Sequence, residues 1–267
     1  VVSGAERWDN ASMKSDAPLL SRRRFLRHTT RLGACVSAAP LILRHSLLGA
    51  DAPSKKIVLG MIGMGRQMMA LNLKPFLESP DCVVAAVCDV DAWRLEQGLQ
   101  AVQRFYASKK TSGQDNRCRA YKDFREIIAR PDIDAVFIST PDHWHAPMAI
   151  AAVKAGKDVS LEKPITRYVN EGRLLADLVR DRQRIFRVDS EFRSLEPFHR
   201  AAELVRNGRL GRLHTIRSGC PREVFPAEPE EITPPPPELD YDLWLGPAPE
   251  VPYIQKRVHP PKDLKSR

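Results

Sequence analysis

Three short clusters of residues carry side chains suited to chemistry. Glu162-Lys163-Pro164 ends an apolar run. A neutral lysine amine there can take a hydroxyl proton while hydride leaves the adjoining carbon, and the ammonium can return it. Thr140-Pro141-Asp142-His143-Trp144-His145 follows another apolar run, and His143 and His145 could contact a cofactor or a substrate. The third cluster, Gly63-Met64-Gly65-Arg66-Gln67, joins an apolar run to an amphipathic segment. Such a turn lets backbone N–H groups approach a pyrophosphate, and the helix start behind it adds partial positive charge. Asp89 closes the next apolar run, where a carboxylate would hold the adenosine ribose. It would accept from the 2′-hydroxyl and repel a 2′-phosphate, so NAD is expected over NADP, with Arg94 near enough to blunt the difference. Met68 replaces the third glycine of Gly-x-Gly-x-x-Gly, which predicts looser helix–strand packing. A zinc site would need a third ligand of suitable spacing beside the two histidines, so no metal is expected.

Positioning these clusters requires strands that end at one edge. Apolar runs predict strands at 57–62, 83–88, 135–140, 158–161 and 185–188, and amphipathic segments predict helices at 68–77, 92–107, 123–129, 147–155 and 170–182. Continuous apolar strands imply burial on both faces, as in a parallel sheet with helices on either side. Pro147 suits a first helical position and Gly156 the position after a helix end. Beyond residue 190 the pattern predicts a helix at 196–206, a strand at 213–218 and a proline-rich surface loop at 221–238. Trp244-Leu245-Gly246-Pro247 marks a packed anchor, although in a chain ending at Arg267 it would lack a surface to pack against. The expected fold is therefore α/β. A Rossmann-type parallel sheet at 53–190 precedes the incomplete start, at 191–267, of an α+β open-sheet domain for substrate binding or oligomerisation.

The motifs Gly63-Met64-Gly65, Val87-Cys88-Asp89-Val90-Asp91, Asp134 to Pro141 with His145, and Glu162-Lys163-Pro164 together resemble the Gfo/Idh/MocA oxidoreductase family. The resemblance covers about residues 56–219. It implies a tightly held nicotinamide dinucleotide and a sugar or polyol substrate. Lys163 then takes the catalytic lysine position, and Gly63, Gly65, Asp89, Thr140, Pro141, His145 and Glu162 take cofactor-contacting positions. Asp142 stands where many members have asparagine. The family's Asp-x-x-x-His segment has no counterpart, so the 267-residue chain alone is expected to be inactive. Three functions remain open: a sugar oxidoreductase, a glycosidase of the same family that oxidises its substrate transiently, or a non-catalytic nucleotide-binding fragment. A full-length form is expected to be a homo-oligomer.

Residues 1–52 read as a leader. Arg22-Arg23 with Phe25-Leu26, followed by a short apolar stretch, resembles a twin-arginine (Tat) export signal, with cleavage near Ala50 or Ala52. The Tat translocon and the periplasm are the expected partner and location. The net charge is +9, and the leader holds eight basic against four acidic side chains. No basic face interleaved with aromatics stands out, which argues against nucleic acid. The five cysteines show no metal-type or disulfide-type spacing.

Overall fold

A computed structural model describes residues 56–109, 118–219 and 231–264. The leader and the early part of the proline-rich loop lie outside the described residues. Six parallel strands form one sheet: β1 (Ile57–Ile62), β2 (Cys82–Cys88), β3 (Arg119–Tyr121), β4 (Ala135–Ile138), β5 (Asp158–Glu162) and β6 (Phe186–Asp189). Their spatial order is β3-β2-β1-β4-β5-β6. The order reverses between β1 and β4, and the crevice beyond their carboxyl ends is where open α/β sheets take ligands.

Alternate strand residues feed two cores, the consequence of a period of two in a sheet covered on both faces. Met61, Val84, Val87 and Phe137 pack with helices α1 (Leu73–Glu78) and α2 (Ala92–Ser108). Ile62, Ala86, Val136, Ile138 and Leu161 pack under α3 (Phe124–Ile128), α4 (Asp142–Lys154) and α5 (Val169–Asp181). Cys88 and Cys118 are buried thiols, and loss of solvent pushes Cys118 up to about 12.

The β1–β2 register slips between Leu59 and Gly60, leaving Ala85 as a bulge. Side chains collect the displaced backbone groups. The Val84 N–H donates to the Tyr106 hydroxyl at 2.8 Å, and Arg130 donates to the Ala85 carbonyl at 3.1 Å. Tyr106→Phe should therefore cost about 1–3 kcal/mol, the penalty for a buried N–H that loses its acceptor. Urea unfolding would show this as a lower midpoint with an unchanged slope, whereas an unmoved midpoint would mean the N–H has another acceptor.

Several sequence expectations change. β3 departs from the sequence pattern, because only three residues form it and they follow a polar stretch. Helix α4 begins at Asp142, not Pro147, so His143, Trp144 and His145 occupy its first turn. Pro147 lies inside the helix and has no N–H to give the His143 carbonyl. Met68 does not loosen the packing: it is fully buried and opens a π turn, Met68–Asn72, whose wider circuit leads into α1.

Beyond β6, helix α6 (Glu196–Arg206) forms as expected, closed by Asn207 and by Gly208 at φ +68°. Residues 213–218 form no strand, since alternation makes a strand only where a ladder partner exists. Trp244 and Leu245 do find a surface. They lie on helix α7 (Tyr241–Leu245), which rests on the start of α4. Trp144 Nε1 donates to the carbonyls of Leu243 and Trp244, and Gly246 lies against the Trp144 indole so closely that a Cβ there would overlap it.

Candidate functional site

A cleft of about 1170 Å³ opens at the carboxyl edge of the sheet. Gly63, Gly65, Arg66, Gln67, Asp89, Thr140, Pro141 and Lys163 line it. Gly63 donates its N–H to the Cys88 carbonyl at 2.8 Å, extending the ladder by one residue, and then turns at φ +87°. A Cβ on Gly63 would meet the Ser139 carbonyl oxygen at 2.6 Å, so the turn passes directly over the end of β4. Beside Gly65 the space is open: the nearest atom to a Cβ there is Arg94 Nη1 at 3.9 Å. The chain becomes helical at Arg66.

Four residues singled out in the sequence stand behind the lining. Met64 packs into the core against Gly98, and its N–H donates to Asp89 Oδ2 at 2.7 Å. His145 is 1% exposed, with Nδ1 2.6 Å from the Pro164 carbonyl oxygen and Nε2 2.8 Å from that of Thr140. It thus braces the Thr140 loop against the Lys163-Pro164 turn, whose peptide bond is cis. His143 Nε2 faces the Trp244 carbonyl at 2.7 Å. Glu162 is buried and accepts from Asn72 at 2.7 Å and Gln67 at 3.0 Å, while its other oxygen accepts the Lys163 N–H at 3.2 Å. The π turn that follows the glycine loop therefore reaches across to fix the backbone that carries the exposed Lys163.

The lining also contains Arg94, which the sequence set near Asp89, and groups that it did not connect with the site. Arg94, five positions after Asp89, is 2% exposed, and its Nε has no hydrogen-bond partner. The Ser139 hydroxyl is likewise buried without one. Gln255, Lys256, Val258, His259 and Pro260 arrive from far along the chain, and nothing in local sequence signals their approach. Arg66, Arg94, Lys122, Arg125, Lys163 and Lys256 face the cleft against Asp89, Asp123 and Glu191. A surplus of cations suits a pyrophosphate. With the glycine turn, the open space a Cβ on Gly65 would fill, the helix start and the buried Ser139 hydroxyl left without a hydrogen bond, these residues fit a dinucleotide.

Asp89 and Asp91 shift in opposite directions. Loss of solvent raises Asp89, opposed by the N–H groups of Asp91 and Met64. Burial would also raise Asp91, but the His259 hydrogen bond, the Arg94 N–H and the charges of both partners outweigh it and hold Asp91 below its ordinary range. A depressed carboxylate contributes stability that is present above the unfolded value, about 3.9, and lost as pH falls through the folded one. Asp91→Asn should thus lower the urea midpoint at pH 7 and flatten its decline below pH 4. An unchanged acid profile would show that this pair does not contribute. Both Asp89 oxygens already accept backbone N–H groups, and the Arg94 charge stands beside them. The Arg94 cation offsets the repulsion of a 2′-phosphate by Asp89, so NADP suits this site no less than NAD, contrary to the sequence expectation.

Residues 57–190 match the family model described as the oxidoreductase family's NAD-binding Rossmann fold, and residues 227–262 match the family's C-terminal alpha/beta domain. The chain belongs to the Gfo/Idh/MocA oxidoreductase family. It is 36% identical over 131 residues to a glycosyl hydrolase family 109 protein of Stenotrophomonas maltophilia, covering 48% of this chain and 28% of that one. It is 34% identical over 122 residues to a levoglucosan dehydrogenase of Pseudarthrobacter phenanthrenivorans, covering 46% and 29%. A 3-ketoreductase from Actinomadura kijaniata, solved with NADP and TDP-benzene, aligns at 22% identity and TM-score 0.49 over 57% of this chain and 43% of that one. The chain spans between about a quarter and a half of the length of the curated relatives it matches, 27% at the low end and 49% at the high end.

Proposed function

We propose that this protein is the cofactor-binding part of an NAD(P)-dependent oxidoreductase acting on a hydroxyl-bearing carbon of a sugar or polyol. The observation that carries the reading is Lys163, exposed on the cleft at the end of β5 with its backbone fixed through Glu162. The nicotinamide dinucleotide supplies hydride acceptance. The Gly63–Gly65 turn and the start of the helix at Arg66 hold the pyrophosphate, Asp89 and Arg94 meet the adenosine ribose, and Thr140 and Pro141 form the floor. Lys163 Nζ takes the substrate hydroxyl proton as the carbon is oxidised, and gives it back in the reverse direction. The similarity to the levoglucosan dehydrogenase supports this reading.

A glycosidase reading, with transient oxidation and no net redox change, is favoured by the relatives named glycosyl hydrolase family 109 proteins. One assay separates the two. Net oxidation produces reduced cofactor in step with substrate, whereas the glycosidase releases aglycone with no accumulated reduced cofactor. Neither product across a panel of sugars and glycosides would remove both. Arg22-Arg23 with Phe25-Leu26 supports export of the folded protein by the Tat translocon to the periplasm with its cofactor already bound.

A further inference from the structure

The outer wall of the cleft belongs to a segment remote from the glycine turn and the lysine strand. Three ties hold it. His259 Nε2 lies 2.9 Å from Asp91 Oδ2. Arg94 Nη2 donates to the carbonyls of Pro260 at 3.1 Å and Asp263 at 2.7 Å. Val258 is buried with Leu239 and Tyr253 in a small apolar cluster that Val90 also packs against. The chain is also stitched by backbone to the same corner: the Ala92 N–H donates to the Glu238 carbonyl at 2.8 Å and the Asp240 N–H to that of Val90 at 3.0 Å. These ties end within residues 90–94, directly after Asp89. Those residues mark the end of the cleft where the adenosine half of a dinucleotide would lie.

We propose that residues 255–260 form a cofactor-contacting wall over the adenosine half of the bound dinucleotide. His259 and Arg94 are its positioning residues. Pro260, held in place by the buried Val258, offers an apolar face to the purine, and Lys256 offers a cation to the phosphate. The proposal rests on the dinucleotide reading above. It gives the 227–262 match a role in nucleotide binding that the Rossmann sheet alone does not fill. Arg94 then serves two sides at once, since its Nη1 approaches Gly65 while its Nη2 anchors the wall.

The test is calorimetric titration of the protein with NAD and with ADP-ribose, which keeps the adenosine half and lacks nicotinamide. Wild type is compared with His259→Ala, which removes the tie to Asp91, and Lys256→Glu, which reverses a charge on an exposed side chain. Each variant should lose about tenfold in affinity, the scale of one charged hydrogen bond, and by the same factor for both ligands. A role in folding alone would lower the melting temperature of His259→Ala and leave both affinities in place, which overturns the proposal. A loss confined to NAD would put the wall at the nicotinamide end and overturn it as well. If His259→Ala fails to fold, Lys256→Glu decides by itself. Wild type that binds neither ligand would overturn the dinucleotide reading, and the wall with it, an outcome distinct from unchanged variants of a binding-competent protein.

Discussion

Lys163→Met in the full-length protein should reduce turnover by about 10²–10⁴-fold, the usual contribution of a positioned acid–base group, while leaving cofactor binding within about twofold. The reason lies in how the residue is held. Its backbone N–H is bound by Glu162, and Glu162 is held by Asn72 and Gln67, so the strand end survives loss of the amine. Methionine keeps much of the stem and removes only the proton carrier. Steady-state rates on the best sugar substrate, with cofactor affinity from titration, check both halves. A variant within a factor of three of wild type would remove Lys163 from the chemistry, and lost cofactor binding would show that its charge serves the dinucleotide instead.

The two glycines of the turn should fail in different ways. Gly63→Ala forces a Cβ into a residue at φ +87° and into the Ser139 carbonyl, where the obstruction is backbone. The left-handed conformation alone costs about 1–2 kcal/mol, and the overlap should bring the loss of stability to about 2–4 kcal/mol. Gly65→Ala meets nothing nearer than Arg94 at 3.9 Å and has no such strain, so its melting temperature should hold. Its methyl group would instead project where a pyrophosphate must approach the backbone, and dinucleotide affinity should fall about tenfold or more. Thermal melts and titration of the pair separate these outcomes. Gly65→Ala with wild-type affinity would mean that the turn does not cradle phosphate.

Much of this was legible in the sequence because it depends on local pattern. Apolar runs of strand length, each followed by an amphipathic segment, specify a doubly wound parallel sheet. The placement of Gly63, Asp89, Thr140 and Lys163 at strand ends then follows from the edge rule for such sheets. Local pattern misplaced the start of α4, since Pro147 reads as a helix opener although Asp142 already begins the turn. It missed β3, whose three residues are strand only because β2 lies alongside. It also suggested a strand at 213–218 that no partner completes.

The sequence by itself thus determined the sheet, the glycine turn and the lysine, because backbone sterics and the two periodicities act over a few residues. Tertiary structure alone decided which of the candidate side chains reach the cleft. His143, His145 and Glu162 are turned to carbonyls and amides behind it, while Lys256 and His259 enter its lining. Those outcomes depend on contacts such as Asp91 with His259 and Trp144 with the carbonyls of Leu243 and Trp244, which join residues about a hundred or more positions apart. A side chain's direction is set by whichever distant partner satisfies its buried polar atoms. No spacing rule within a single segment contains that information.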